Sequence, residues 1–147
     1  MHRILIVLSL ALAPVPGQAQ SSDLAAAAER ARRAWLRHDP VKLVAESPRL
    51  MIQLPGAEPS VALGPSQAAA LLGDFLASAQ EVETIVRAAR EVGPGRGYVE
   101  LQRRYRVAGT QNVRAQVLLL GYRLERGQWN LVEFRVVGQP AGGDAPH

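Results

Sequence analysis

The side chain with the greatest potential for chemistry in this sequence is an arginine set among apolar residues. Arg103 lies between Leu101 and Tyr105 in an alternating segment that is typical of a strand with one buried face. A guanidinium on that face is costly unless it has a partner. It could line a polar pocket and meet a carboxylate or phosphate with two parallel hydrogen bonds. Alternatively, its head could reach water at the rim, or a β-bulge could shift the alternation by one residue.

Other groups able to do chemistry are scarce. The chain has no cysteine, and apart from His2 its histidines are His38, expected at an exposed helix end, and His147. One usable histidine and no cysteine do not make a zinc site. Motifs of serine hydrolases, zinc proteases and phosphate-binding loops are absent. The expected sheet register places no Asp or Glu on the inward face. The sequence therefore predicts no catalytic residue, no metal ligand and no cofactor.

The first residues predict export. His2 and Arg3 precede an apolar run over 4–13, then helix breakers and a small-x-small cleavage site, which is the layout of a signal peptide over residues 1–19. The apolar run is too short to span a bilayer, which needs roughly 20 residues. The mature chain should begin near Gln20 and be periplasmic or secreted. Without cysteine it can carry no N-terminal lipid, so no membrane anchor is expected.

Composition argues against nucleic acid as a partner. The sequence has 17 Lys and Arg against 13 Asp and Glu, and the arginines are scattered along the chain. A nucleic-acid-binding protein would concentrate its charge on one face and place aromatic side chains between the cations. A solvated arginine-rich surface is the simpler interpretation.

Periodicity predicts helices followed by a run of strands. The region 20–138 should be one domain, with a disordered tail over 139–147. Asp39 and Pro40 are suited to cap and start the second helix. Helices are expected over 22–38, 41–46 and 65–78, and strands over 49–54, 82–92, 98–107, 113–125 and 128–137. This order indicates an α+β fold with helices on one face of an antiparallel sheet.

The turn at Arg126-Gly127 sets the register of the last two strands, because a two-residue loop pairs Glu125 with Gln128. Counting back from it without a bulge predicts one wholly apolar face, comprising Val117, Leu119, Gly121, Val132, Phe134 and Val136. The opposite face mixes apolar with polar and charged residues, comprising Arg114, Gln116, Leu118, Leu120, Tyr122, Leu131, Glu133 and Arg135. A mixed face is either partly wet or the contact of a homodimer formed through the sheet.

This layout resembles the nuclear transport factor 2-like (cystatin-like α+β) superfamily. The features that match are the break Trp35-Leu36-Arg37-His38-Asp39, the Gly64-Pro65 helix start and the last strand from Gly127. The segments Leu54-Pro55-Gly56 and Leu71-Leu72-Gly73-Asp74-Phe75-Leu76 look like small exported bacterial members of unknown function. The resemblance implies a bent antiparallel sheet wrapped around N-terminal helices, with a cone-shaped pocket between them. It implies no single activity, because the superfamily includes isomerases, dehydratases, cyclases and binding domains.

The function expected from these features is non-catalytic binding of a small apolar or anionic amphiphilic ligand, or of a protein partner. Arg103, Tyr105, Trp35 and Leu101 are the candidate binding residues, and Trp35 should pack under the sheet. Arg103→Leu is expected to abolish binding and leave stability unchanged or higher. One alternative is a structural or dimerisation module that uses the outer sheet face. A second is an enzyme of the isomerase or dehydratase type, which an inward carboxylate near Tyr105 or His38 would favour.

Overall fold

The structure, a computed structural model, describes residues 16–138, with side chains from residue 23 onward. Most of the predicted signal peptide and the predicted disordered tail over 139–147 lie outside the described residues. The helices are α1 (Pro16–Leu36), α2 (Pro40–Val44) and α3 (Pro65–Leu76). The strands are β1 (Met51–Gln53), β2 (Ala79–Gly93), β3 (Arg96–Val107), β4 (Val113–Glu125) and β5 (Gln128–Val137).

The predicted α+β class is confirmed. The five strands form one sheet in the order β1-β5-β4-β3-β2, in which β1 runs parallel to β5 and the other pairs are antiparallel. Outside these strands, Leu50 and Leu63 form an isolated antiparallel bridge. Within the described part of the chain, no helix combines the length and the apolarity needed to cross a membrane.

Local sequence signals explain where the helices begin. Asp39 caps α2, its Oδ1 accepting a hydrogen bond from the Lys42 backbone N–H at 3.0 Å. Pro40 and Pro65 occupy the first turns of α2 and α3, where a missing N–H costs nothing. The start of α1 at Pro16 lies upstream of the predicted start at residue 22.

The expected register of the last hairpin is correct near the turn and wrong beyond it. Tyr122 pairs with Leu131 as predicted, but Val132 is an extra residue, so Gly121 pairs with Glu133. This bulge shifts the alternation of side chains by one residue, so that residues beyond it change faces of the sheet. The buried residues of β4 are consequently Leu118, Leu120 and Tyr122. Val117, Leu119 and Gly121, predicted for the apolar layer, lie on the outer face instead.

The helices cover the inner face of the sheet around one large aromatic. Trp35, at the end of α1, is 1% exposed and stacks on Phe134 of β5 with ring centroids 5.3 Å apart. Phe75 of α3 adds a tilted ring contact at 6.3 Å. The prediction that Trp35 packs under the sheet is confirmed. This packing brings the end of α1 against the part of β3 that carries Arg103.

Candidate functional site

Arg103 points into the interior of the fold, and its charge is neutralised there. Its side chain is 1% exposed. Its Nε donates a hydrogen bond to Oε2 of Glu81 at 3.2 Å, and Nη2 donates to the other oxygen of that carboxylate. Nη1 donates to Oε1 of Gln116 on β4 at 3.1 Å. The inward direction of Arg103 is as predicted, and the carboxylate it meets belongs to this chain.

Glu81 is an inward carboxylate that the sequence analysis did not find. β2 begins before the predicted start at Val82, so Glu81 already lies in the sheet, opposite Tyr105. Val82 is an extra residue in β2, and this bulge puts Glu81 and Thr84, three positions apart, on the same face. The Glu81 side chain is 2% exposed. The expectation that no acidic residue points inward is therefore wrong.

Aromatic rings surround the guanidinium. Its carbon lies 4.2 Å from the ring centroid of Tyr105, 5.0 Å from that of Trp35 and 5.6 Å from that of Phe75. At these distances the faces of aromatic rings attract a positive charge. Leu101, two residues before Arg103 on the same face of β3, is 1% exposed. Three of the four candidate binding residues thus lie on β3, and Trp35 of α1 covers Arg103 from the helix side.

His38 joins this region through an unusual helix end. It follows α1 with a φ of 53°, a left-handed conformation in which glycine is usual. Its N–H bonds the Trp35 carbonyl at 2.9 Å, and the next N–H, of Asp39, bonds the Ala34 carbonyl at 2.9 Å. The imidazole is half-buried, and its Nε2 lies 3.6 Å from Oε1 of Glu81. The helix-end position is as predicted, but the imidazole is half-buried and not fully exposed.

The ion pair between Arg103 and Glu81 leaves no free charge for a ligand. Burial lowers the pKa of Arg103, and the neighbouring Glu81 carboxylate opposes that shift. Both side chains are almost completely excluded from solvent. A ligand carboxylate could reach the guanidinium only by displacing Glu81. Arg103, Glu81 and Gln116, which we call the Arg103 cluster, therefore form a buried network whose charges already have partners.

A separate opening lies between α1, α2 and the end of the β4–β5 hairpin. This cleft has a volume of about 480 Å³, within the range typical of small-molecule sites. Its walls are mainly apolar, formed by Ala27, Ala31, Ala34, Leu43, Trp129 and Leu131. Its charged lining comprises Arg30, Arg33, Arg37 and Lys42, with Asp39 and Glu46 as the acidic members. We call this opening the α1–α2 cleft.

Tyr122 of β4 also lines the cleft, and it is 6% exposed. Burial raises the pKa of its phenol, and the positive charge of Arg30 acts in the opposite direction. The phenol therefore remains protonated and able to donate a hydrogen bond at any physiological pH. Arg30 itself is exposed on α1, one helical turn before Ala34.

Comparison with known proteins identifies the fold. No protein-family model and no curated protein matches the chain. An NTF2-like family protein from Streptomyces avermitilis, named as a candidate dehydratase, has a TM-score of 0.66 at 12% identity, over 85% of this chain and 99% of that one. A ketosteroid isomerase-like protein from Erwinia carotovora atroseptica has a TM-score of 0.65 at 15% identity, over 80% and 94%. This chain has the nuclear transport factor 2-like fold.

A third solved structure with this NTF2-like fold is named only by its DUF4783 family. A DUF4783 family protein from Bacteroides ovatus has a TM-score of 0.62 at 11% identity, over 77% of this chain and 94% of that one. Identities this low establish the fold alone, and an NTF2-like fold does not determine a reaction. Function must therefore be argued from the side chains of this chain.

Sequence reasoning missed the α1–α2 cleft, although a signal for it was present. Ala27, Ala31 and Ala34 follow the spacing i, i+4 and i+7, which puts three small side chains on one stripe of α1. The cleft also depends on Tyr122, which the register without a bulge had assigned to the partly wet face.

Proposed function

We propose that this protein binds a small amphipathic molecule in the α1–α2 cleft. The observation that carries the proposal is the combination of an apolar wall with a cationic rim in one opening. An apolar body would be removed from water against Trp129, Leu131 and the α1 alanines, which is favourable in proportion to the area buried. The rim cations would stay near water and select against cationic ligands.

The cleft is better suited to bind a ligand than the Arg103 cluster, the region for which the sequence predicted ligand binding. In the cluster, Arg103 and Glu81 satisfy each other and are closed off from solvent. In the cleft, Arg30, Arg37 and Lys42 have no carboxylate within ion-pair distance among the residues the structure describes. Charges free of internal partners can interact with a ligand at a lower cost.

The experiment reduces the volume of the cleft by enlarging one side chain in its wall. Ala34 is 4% exposed and lines the cleft, so Ala34→Leu should occupy part of its volume. Ala26→Leu, at an exposed position of the same helix, is the matched control. Anilinonaphthalene sulfonate, an anionic amphiphile that fluoresces in apolar surroundings, should bind the wild-type protein saturably. We expect Ala34→Leu to weaken binding by roughly tenfold or more and Ala26→Leu to leave it unchanged. Equal binding by all three proteins would contradict the proposal.

We further propose that binding takes place outside the cytoplasm, in the periplasm or after secretion. Support comes from the layout of residues 1–19, with its short apolar run and small-x-small site. N-terminal sequencing of the exported protein should find a mature chain that begins at or near Gln20. Recovery of the full chain with residues 1–19 still attached would overturn this localisation.

One observation favours acid–base catalysis as a second candidate function. Glu81 is an inward carboxylate whose Oε1 lies 3.6 Å from Nε2 of His38, and a carboxylate in an apolar site is a common catalytic base. Against it, the same carboxylate is held by Arg103. The test is deuterium incorporation next to the carbonyl of cyclohexenone in heavy water. Incorporation that Glu81→Gln abolishes supports catalysis, and none above buffer rejects it for this substrate class.

A further inference from the structure

We propose that Tyr122 and Arg30 form an anion subsite in the α1–α2 cleft, so that the ligand carries a carboxylate or phosphate head on an apolar body. This inference rests on the proposed binding function and specifies the chemistry of its ligand. Four observations support it, concerning the phenol, a second hydroxyl, the guanidinium and the size of the cleft.

The Tyr122 hydroxyl lacks an internal partner. The side chain is 6% exposed and lines the cleft. Within the described part of the chain no group hydrogen-bonds its oxygen. The oxygen is not sealed in the interior, because the fully buried side-chain atoms without a partner among the described residues are Trp35 Nε1, His38 Nε2 and Arg106 Nε. The hydroxyl therefore opens on the cleft, where it can bond a ligand without losing an internal partner.

Ser47, at the end of the segment after α2, repeats this arrangement. It is 2% exposed and lines the same cleft. Its backbone N–H bonds the Val44 carbonyl at 3.0 Å, whereas its hydroxyl has no partner among the described residues. Tyr122 and Ser47 thus offer the cleft two hydroxyls that no internal group uses.

Arg30 supplies the charge. It lies on the cleft side of α1, and its positive charge acts on the Tyr122 phenol. Arg33, on the same helix, is instead engaged by Glu29, with Nε and Oε1 3.3 Å apart. No carboxylate of the described residues lies within ion-pair distance of Arg30. A guanidinium beside a neutral phenol can bind an anionic oxygen through charge-assisted hydrogen bonds.

The size of the cleft limits the apolar body. A volume of about 480 Å³ lies in the lower half of the range of small-molecule sites, which suits one alkyl chain of about ten carbons with a compact head. Decanoate, decyl phosphate and decanol therefore form a matched set that differs only in the head group.

The experiment measures displacement of N-phenylnaphthylamine, an uncharged fluorescent probe, by each of the three compounds. The wild-type protein should prefer decanoate or decyl phosphate over decanol by roughly tenfold. The preferred anion assigns the head group. Tyr122→Phe and Arg30→Gln should each reduce this preference several-fold without changing the affinity for decanol. Tyr98→Phe and Arg87→Gln, which alter residues outside the cleft, should leave the preference unchanged.

Two failures are distinguishable. If decanol competes as well as the anions, or if Tyr122→Phe and Arg30→Gln keep the wild-type preference, the anion subsite is wrong while the cleft remains a binding site. If the probe does not bind and none of the three compounds is bound, the proposed function itself is wrong. Circular dichroism of each variant confirms that altered binding does not reflect unfolding, which is not expected because neither substitution removes an internal partner.

Discussion

The Glu81 carboxylate and the Arg103 guanidinium, on adjacent strands of the sheet, form an ion pair whose side chains are 2% and 1% exposed. Two of the guanidinium nitrogens donate to the carboxylate, and Gln116 accepts from a third. The pair lies beneath Trp35, so the end of α1, β2, β3 and β4 meet at this point. Removing either member alone would leave a charge in the interior without a partner.

The pair reverses one expectation drawn from the sequence. Arg103→Leu had been expected to preserve or raise stability, whereas the structure predicts a loss of about 3–5 kcal/mol because Glu81 is left buried and unpaired. The double variant Glu81→Leu/Arg103→Leu removes both charges and should recover most of that loss. The measurement is the free energy of unfolding from urea titrations of the wild type, both single variants and the double variant.

Additive effects would contradict this prediction. If the double variant loses as much as the two single variants combined, the two side chains do not interact in solution. The exposed pair of Arg104 and Glu83, with Nη1 and Oε2 3.6 Å apart, is the control. The corresponding cycle should give an interaction of less than about 1 kcal/mol, because both side chains are half-exposed.

The β4–β5 turn offers a stabilising substitution. Arg126 and Gly127 have φ values of 52° and 75°, as a two-residue turn with both central residues left-handed requires. Arginine is disfavoured in that conformation, whereas asparagine tolerates it. Arg126→Asn should therefore raise the free energy of unfolding by about 0.5–1 kcal/mol, measured by thermal and urea denaturation. Arg126→Val, which is β-branched, should lower it, and a gain for valine would contradict the assigned turn geometry.

The same hairpin shows what the sequence could and could not predict. The turn, both strand boundaries and the pairing of Glu125 with Gln128 follow from Arg126-Gly127 and are confirmed. Counting residues back from the turn could not reveal the bulge at Val132. One extra residue changes the local free energy of a strand little, so only the packing of the core explains its position. It allows both Leu131 and Phe134 to reach the core. A strict alternation would have buried one of them and exposed the other.

His38 offers a test of the helix end that faces Glu81. At a φ of 53°, a residue with a Cβ is strained by about 1 kcal/mol relative to glycine. His38→Gly should therefore be more stable than His38→Ala by about that amount in urea titrations. If alanine is as stable as glycine, the left-handed conformation is wrong. The difference between His38→Ala and the wild type, which share this backbone strain, then measures what the imidazole contributes near Glu81.

The candidate site was predictable in part. The inward direction of Arg103 followed from the apolar types of its neighbours two positions away. Its partner Glu81 did not, because the bulge at Val82 reverses the alternation between the start of β2 and its continuation. Contacts between residues on different strands depend on where a bulge shifts the pairing by one residue, and no local sequence pattern shows where that happens. The α1–α2 cleft likewise depends on how three elements meet, and only its alanine stripe is visible in the sequence.

Tyr122 predicts how stability should depend on alkaline pH. Burial raises the pKa of its phenol above the usual tyrosine value of about 10, so the unfolded chain loses that proton before the folded protein does. The resulting stability is fully present below about pH 10 and is lost as pH rises above it, by at most about 1.4 kcal/mol per pH unit. Tyr122→Phe removes this loss. Urea titrations between pH 9 and 11 should therefore show a smaller decline for Tyr122→Phe than for the wild type. Parallel declines would mean that the Tyr122 phenol ionises as readily in the folded protein as in the unfolded chain.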